Sequence, residues 1–297
     1  MAANATLKLQ EESTIIHTSS QLSRTTDLAI ADDVCREMIA LIYQHSGIVL
    51  VPSKKAMISS RLSRRLRALE LDSFRSYLEY LRTSPDREAE IVTMVSAITT
   101  NKTAFFRESH HFDYLVSTIL PTLADHGTIN IWSAGCSTGE EPYTLAMVLT
   151  EYFGTPEKFT ILAIDLSTHA LQTARLGIYA GQAGQPIPRN LRQKYTMEGS
   201  GPQEGRFRIV PELRKRIRFG HFNLIDRSWD IPAEMDLIFC RNVMIYFDKK
   251  TRRAIVSRFG QKLRPGGHFF VGHSETLSDL ESDLVQVRPT VYAREPR

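Results

Sequence analysis

A turn of glycine and other small residues joins an apolar run to two acidic residues near the middle of this 297-residue chain. The run and the turn read I-N-I-W-S-A-G-C-S-T-G over Ile129–Gly139, and Glu140, Glu141 and Pro142 follow. An apolar run of this length predicts a buried strand, and acids with a proline are typical of the first turn of a helix. Glycines there allow backbone N–H groups to surround a small ligand at the helix N-terminus. The feature therefore predicts a strand–turn–helix unit with a ligand site at the turn.

The two acids, Glu140 and Glu141, restrict the class of that ligand. Their negative charge would repel a pyrophosphate group and would favour a cation. This argues against NAD or ATP and favours a cationic nucleoside, of which S-adenosylmethionine is the obvious case.

Strand and helix patterns alternate through the rest of the chain's second part, which predicts an α/β domain with a parallel sheet. The predicted strands are Ile129–Ala134, Phe159–Ile164, Met235–Cys240 and His268–Gly272. The alternation stops between about 178 and 221, where the segments 206–210 and 216–219 predict a small inserted antiparallel β-subdomain. The segment Leu263–Gly267 is expected to be a sharp turn from a helix into a strand.

The first third of the chain has a different pattern. Residues 1–31 are rich in Ser, Thr, Ala and Gln without periodicity, which predicts a flexible tail. Four helical patterns without strands follow over residues 32–98 and predict a small all-α domain. Residues 99–297 are then expected to form the α/β domain.

Composition excludes several classes of protein. The net charge of +4 is small for this length, so the total does not indicate nucleic-acid binding. Cys35, Cys136 and Cys240 are far apart, which argues against a disulfide framework or a zinc site and fits a reducing cytoplasm. No apolar run approaches about 18 residues, so neither a membrane span nor direct membrane insertion is expected. We expect a cytoplasmic protein without a metal.

Polar residues follow several predicted strands, at the edge where parallel sheets bind ligands. Asp165 is placed to accept both hydroxyls of a ribose or to cap the next helix, and Asn223 to bind an adenine edge or to form a turn. Upstream, Thr99–Glu108 joins the two domains and is either a lid over a bound cofactor or a capped linker. These alternatives stay open from the residues alone.

Four motifs in order make the chain recognisable. T-T-N-x-T-x-F-F-R-E, W-S-A-G-C-S-T-G-E-E-P-Y, C-R-N-V-M-I-Y-F-D and G-H-S-E-T resemble those of the chemotaxis receptor methyltransferases, the CheR family, over roughly residues 33–293. The resemblance implies a Rossmann-like methyltransferase domain that uses S-adenosylmethionine. It also implies that the substrate is the cytoplasmic helical bundle of chemoreceptors, whose glutamate side chains become methyl esters.

The resemblance also implies residue roles. Arg107 and Tyr246 are expected beside the reacting methyl group. The implied cofactor contacts are Asn101, Thr103, Arg107, Glu141, Asp165, Asn223, Leu224, Arg241 and Asn242. The turn departs from the common methyltransferase pattern, since it is G-C-S-T-G rather than G-x-G-x-G.

Two surfaces are expected to bind the receptor. The predicted second helix carries Arg61, Arg64 and Arg65 within a stretch, Lys54–Arg67, that has no acid, and we expect these charges to contact an acidic helical bundle. In the family, some members tether a C-terminal receptor peptide as an added strand on the inserted subdomain. The loop Gly199–Gly205 resembles that of the tethering members.

Three other functions fit parts of the sequence. Gly135–Gly139 also matches the G-x-S-x-G motif of serine hydrolases, with His268 or His273 as bases, although helices rather than strands precede it. A nucleic-acid methyltransferase would use the basic stretch, but that stretch lacks interleaved aromatic residues. A cofactor-sensing scaffold would bind the nucleoside without turnover.

Overall fold

The computed structural model describes residues 29–296, so residues 1–28 of the tail expected over residues 1–31 lie outside it. The first part is a bundle of four helices, α1 (Asp32–Ser46), α2 (Lys55–Ala68), α3 (Phe74–Thr83) and α4 (Arg87–Ile98). Each buries one apolar face in a common core, as the helical spacing predicts. Gly47, with φ of 70°, ends α1 in the left-handed conformation that glycine adopts most easily.

The second part is built on a seven-stranded sheet. Its elements before the inserted subdomain are α5 (His110–Tyr114), α6 (Leu120–Leu123), β1 (Ile129–Ala134), α7 (Glu140–Phe153), β2 (Phe159–Asp165) and α8 (Thr168–Leu176). The inserted region holds β3 (Ile178–Ala180), α9 (Arg189–Tyr195), β4 (Thr196–Glu198), β5 (Arg206–Ile209) and α10 (Pro211–Arg214). The chain ends with β6 (Ile217–His221), β7 (Met235–Cys240), α11 (Lys249–Lys262), β8 (Leu263–Val271), β9 (Leu284–Arg288) and β10 (Val291–Arg294).

The strand order is β6-β2-β1-β7-β8-β10-β9, and the pairs from β6 to β8 are parallel. This confirms the expected α/β fold with a mostly parallel sheet and a preceding all-α domain. The carboxyl ends of β1, β2 and β7 lie side by side, so the loops that follow them share one edge of the sheet. At Gly135, φ is 88° and an added Cβ would collide with Val243, so the first turn requires glycine.

The inserted subdomain is smaller than predicted. Its antiparallel sheet contains only β3, β5 and β4, in that order. The segment 216–219, expected in this sheet, instead forms β6, which extends the large sheet by pairing in parallel with β2. Strand pairing depends on distant partners, so the alternating pattern could not distinguish the two sheets.

The last three strands of the large sheet along the chain also differ from the sequence-based expectation. Leu263–Gly267, predicted as a turn, lies at the beginning of β8, with a register shift between its pairing to Met235 and to Leu237. The antiparallel strands β9 and β10, which the sequence did not predict, complete the sheet beyond β8.

The helical domain packs across the ligand edge of the sheet. Ile48 forms an antiparallel bridge with Phe247, and the Val49 N–H donates to the Tyr246 carbonyl at 2.8 Å. The Ser96 and Ser167 hydroxyls are 2.9 Å apart. These contacts enclose the strand-end loops between the two domains. Among the helices between residues 29 and 296, none is long and apolar enough to cross a membrane.

Candidate functional site

A cavity of about 410 Å³ lies between the helical domain and the carboxyl edge of the sheet. Its volume falls within the range of about 300–1,000 Å³ that is usual for small-molecule sites. The residues that the resemblance to the family implies all line it: Asn101, Thr103, Arg107, Glu141, Asp165, Asn223, Leu224, Arg241, Asn242 and Tyr246. The structure therefore brings together side chains that are up to 145 positions apart in the chain (from 101 to 246).

Asp165 organises the glycine turn. One of its carboxylate oxygens accepts from the Ser137 N–H and the other from the Ser167 N–H, both at 2.7 Å. Asp165 does not cap α8, because that role belongs to the Ser167 hydroxyl, which accepts from the Ala170 N–H. Burial raises the pKa of Asp165, although the two N–H donors act against this. Each carboxylate oxygen retains a lone pair for a ligand hydroxyl on the cavity side.

The two acids of the turn have separate roles. Glu141 lies on the cavity wall with its side chain 13% exposed, accepts from the Ser133 hydroxyl at 2.7 Å and lies 3.5 Å from the Arg241 guanidinium. Burial raises the pKa of Glu141, and Arg241 opposes this. The Glu140 side chain accepts from Thr138 and is absent from the cavity wall. The expected attraction for a cation therefore depends on Glu141 alone.

The segment between the domains passes over the cavity. Asn101 donates to the Ser167 hydroxyl at 3.2 Å, and its carbonyl accepts from the Ser137 hydroxyl at 3.0 Å. Arg107 donates to the Lys102 carbonyl at 2.8 Å, which folds the segment back on itself. Thr103 lines the cavity between them. This segment, called the lid segment below, is therefore tied to the glycine turn, and its Phe105 is buried in the core of the α/β domain, so both the lid and the capped linker fit the contacts.

Asn223 and Leu224 follow β6 at the same edge. The Asn223 amide donates to the His45 carbonyl at 2.7 Å and its oxygen accepts from the Ile225 N–H at 3.3 Å. This side chain therefore also joins the helical domain to the sheet. Leu224 is buried and contributes an apolar surface to the cavity.

Two acids that sequence reasoning did not assign support the loop after β7. Glu275 accepts from the backbone N–H groups of Gly272, Asn242 and Ile245, at 2.6, 2.7 and 3.2 Å. Its burial raises its pKa. Glu108 lies 3.5 Å from Arg241 and also 3.5 Å from the Asn242 amide nitrogen. Both acids belong to quoted motifs, F-F-R-E and G-H-S-E-T, which was the available signal.

The same cluster contains a buried histidine. His111 donates to or accepts from the Thr290 hydroxyl at 2.7 Å and lies 3.6 Å from Glu108. Burial, with the Arg241 charge, lowers the pKa of His111 to about 3, so it is neutral at physiological pH. Burial also acts to raise the pKa of Glu108, but Arg241 and the donors of His273 outweigh this and keep it below its ordinary value.

Asn242 presents an unused acceptor. It has φ of 60°, and its buried side-chain oxygen has no hydrogen-bond partner within residues 29–296. A buried polar atom without a partner costs about 1–3 kcal/mol, so a ligand donor at this point would recover that free energy. This oxygen lacks a hydrogen-bond donor. Together with the carboxylates of the cavity, it fits a cofactor that carries hydroxyl and ammonium groups.

The three arginines expected to dock a partner lie in different environments. Arg61 lines the cavity and donates to the carbonyls of Ile98 and Thr99. Arg65 forms a two-point ion pair with Glu90, at 2.9 and 2.6 Å. Arg64 alone of the three is exposed to solvent. Arg61 and Arg65 are therefore held by groups from other elements, and receptor docking by the three arginines stays a prediction.

No group of three or more His, Cys, Asp or Glu side chains suited to a metal ion occurs in residues 29–296.

The Ser137 hydroxyl donates to a backbone carbonyl. Among residues 29–296, the partners of the Ser137 N–H and hydroxyl are Asp165 and the Asn101 carbonyl, whereas a serine nucleophile needs a base such as histidine.

Comparison with known proteins agrees with the motifs. The family model described as "CheR methyltransferase, all-alpha domain" matches residues 35–99, and "CheR methyltransferase, SAM binding domain" matches residues 101–293. The chemotaxis protein methyltransferase of Salmonella typhimurium is 43% identical over 282 residues, which cover 93% of this chain and 95% of that protein. Chemotaxis protein methyltransferase 2 of Pseudomonas aeruginosa is 43% identical over 255 residues, covering 85% and 89% of the two chains. The chain therefore belongs to the CheR methyltransferase family, as its motifs predict, and is an S-adenosylmethionine-dependent methyltransferase.

Proposed function

We propose that this enzyme methylates glutamate side chains of bacterial chemoreceptors and so forms the glutamyl methyl esters used in chemotactic adaptation. The observation that carries the proposal is the cavity between the domains, which collects every cofactor residue implied by the motifs. Membership of the CheR family supports the receptor as the substrate.

The cavity residues form groups that match the ribose, the adenine and the amino-acid end of S-adenosylmethionine. Asp165 would accept the ribose hydroxyls, and Asn223 and Leu224, at the carboxyl end of β6, would hold the adenine. Glu141, Asn101 and Thr103 lie around the glycine turn and would hold the charged amino-acid end. When bound, S-adenosylmethionine supplies a methyl group on a sulfonium, an activated donor whose leaving group is a neutral thioether.

The acceptor needs little help from acids or bases. A glutamate has a reference pKa of about 4.3 and is therefore already an anionic nucleophile at neutral pH. The enzyme must align the acceptor with the methyl donor and remove water from the carboxylate. We assign this alignment to Arg107 and Tyr246, which both line the cavity. Arg107 would attract the carboxylate, and the Tyr246 hydroxyl would orient it, without transfer of a proton.

The alternative activities have less support. A serine hydrolase would need a base beside Ser137, whose hydroxyl instead holds the Asn101 carbonyl. A nucleic-acid methyltransferase would need a continuous basic surface, but two of the three arginines singled out on α2 are occupied within the chain. A cofactor-sensing scaffold would bind the cofactor without transferring its methyl group to a receptor.

The receptor's cytoplasmic helical bundle would contact α2. Lys54 and Arg64 are exposed on and beside this helix, and neither makes an ion pair within the described part of the chain. Charges at the rim of an interface mainly accelerate association, and salt weakens their effect. In this proposal Arg61 and Arg65 act indirectly, by holding α2 against the lid segment and α4.

The inserted subdomain offers a second contact. β4 is an edge strand of the three-stranded sheet, so one side of its backbone is open to an added strand. We propose that a C-terminal receptor peptide binds there by β-augmentation, with Arg206 near its terminal carboxylate. Calorimetry with receptor C-terminal peptides tests this point, and an absence of binding would contradict it.

We also propose that the enzyme acts in the cytoplasm, where its three free cysteines stay reduced.

Transfer of a labelled methyl group to receptor-containing membranes tests the proposed activity. The expected result is label in the receptor that alkali releases as methanol, since esters hydrolyse under these conditions and methylated amines do not. Label that resists alkali, or a failure of the receptor to become labelled, would contradict the proposal.

A further inference from the structure

We propose that four exposed apolar side chains at the mouth of the cavity form the surface on which an amphipathic helix of the receptor lies while its glutamate enters. These side chains, Tyr43, Val49, Val51 and Ile245, are called the apolar rim below. The inference rests on the proposed function and adds to it the surface that selects the substrate.

The four side chains of the apolar rim are more exposed than is usual for apolar residues. Its four side chains are 42%, 46%, 49% and 51% exposed, in the order given. Apolar side chains that are exposed together beside a cavity mark binding surfaces more often than single ones do.

The fold brings the rim residues around the proposed catalytic tyrosine. The Val49 N–H donates to the Tyr246 carbonyl at 2.8 Å, so Val49 lies beside Tyr246 and close to its neighbour Ile245. The Tyr43 hydroxyl donates to Asp248 at 2.6 Å, which places Tyr43 against the same loop. The rim therefore combines residues of both domains around the loop that carries Tyr246.

The two valines lie on one side of the chain. Burial alternates along residues 48–51. Ile48 is 8% exposed and Leu50 packs against the helical core, whereas Val49 and Val51 are exposed. Val49 and Val51 both line the cavity as well as facing solvent. Positions two apart in an extended chain are separated by about 6.6 Å. This separation is close to the rise of about 5.4 Å for one helical turn, so the valines match apolar side chains on successive turns.

The charges beside the rim specify the rest of the partner. Lys54 lines the same cavity, and Arg64 is exposed on α2, which begins at the residue after Lys54. The surface thus combines an apolar contact with flanking positive charge. The complementary partner is a helix with a glutamate at the centre, apolar side chains three or four positions from it, and acidic residues on the flank. A helix with acids but no apolar neighbours would lack the contact to the valines.

The test compares two double variants of the full-length enzyme. V49S/V51S removes the apolar contact, and V285S/V287S is a matched control, because Val285 and Val287 are 46% and 47% exposed on the edge strand β9. We expect V49S/V51S to raise KM for receptor roughly tenfold, from the apolar area that docking would cover. KM for receptor in the control and the melting temperature of both variants should not change, and the dissociation constant of V49S/V51S for S-adenosylhomocysteine should rise by much less than its KM for receptor.

The salt dependence of KM for receptor distinguishes the contribution of the apolar rim from that of the charged side chains. The defect of V49S/V51S should persist at high ionic strength, whereas the defect of R64E should shrink as salt screens it. An unchanged KM for receptor in V49S/V51S, with the wild type active, would overturn the inference and leave the proposed function intact. A dissociation constant for S-adenosylhomocysteine that rises as much as KM for receptor in V49S/V51S would also overturn it, because the valines would then act on the cofactor and not on the receptor. A wild-type enzyme that labels no receptor would contradict the proposed function itself.

Discussion

The carboxylate of Asp165 accepts the backbone N–H of Ser137 at 2.7 Å, which joins the end of β2 to the glycine turn after β1. Ser137 has φ of 49°, a left-handed conformation that a non-glycine residue adopts only at some cost. The Asp165 hydrogen bond helps to offset that cost. The same acid therefore shapes the turn and faces the cavity.

Replacing Asp165 by Asn should weaken cofactor binding more than it weakens the fold. An amide supplies one accepting oxygen where the carboxylate supplies two, so a side chain that still accepts from the Ser137 N–H can no longer accept both ribose hydroxyls. A lost hydrogen bond to a charged group costs about 1.5–3 kcal/mol, which corresponds to a dissociation constant raised roughly tenfold to hundredfold. Equilibrium dialysis with S-adenosylhomocysteine measures this. Equal affinity in D165N would show that the carboxylate is not needed.

The affinity for the cofactor should depend on pH through Glu141. Burial raises the pKa of this group, so it loses its charge at a higher pH than an ordinary glutamate does. Cofactor affinity should therefore be complete above that raised pKa and fall as pH decreases through it. Protonation does not itself unfold the protein here, because a raised pKa means that the fold favours the neutral form. E141Q should bind weakly at every pH, and a wild-type pH dependence in E141Q would assign the titration to another group.

Neighbouring arginines on α2 should differ in their effect on stability. Arg65 pairs with Glu90, which is 5% exposed and also accepts from the Tyr77 hydroxyl at 2.6 Å. R65A would leave this buried carboxylate without its cation and should lower the free energy of unfolding by about 3 kcal/mol. R64A, the matched exposed control, should change it by less than about 0.5 kcal/mol. Urea denaturation measures both, and equal effects would contradict the assignment.

Y246F and R107K should slow methyl transfer without changing its pH dependence. Both side chains are proposed to position the acceptor, and misplacement of a reactant costs up to about 100-fold in rate. Single-turnover rates should stay flat across neutral pH in the wild type and in both variants. A wild-type rate that follows a group titrating near neutrality, and loses that dependence in Y246F, would assign proton transfer to Tyr246.

Local patterns predicted the parts of the fold that depend on neighbouring residues. The bounds of β1 and β7 match the predicted strands because both are continuous apolar runs between turn residues. The glycine turn was predictable for the same reason, since Gly135 and Gly139 both require positive φ. Asp165 and Asn223 were also indicated by their positions after predicted strands, whereas the other cavity residues came from the resemblance to the family.

Long-range partners were not predictable. The alternation of 216–219 indicates a strand but does not specify its neighbour, and the partner is β2 rather than β5. Arg65 shares the helical spacing of a solvated face, yet Glu90 on α4, 25 positions away, holds it. In both cases the deciding contact lies in another element, so no pattern within the segment itself could reveal it.

Titration of the wild-type protein with S-adenosylhomocysteine and, separately, with NAD tests the central claim that the cavity between the domains is a site for a sulfur nucleoside. We predict saturable binding of one S-adenosylhomocysteine per chain and no binding of NAD, whose pyrophosphate would meet Glu141. Binding of NAD, or an absence of S-adenosylhomocysteine binding, would contradict the account.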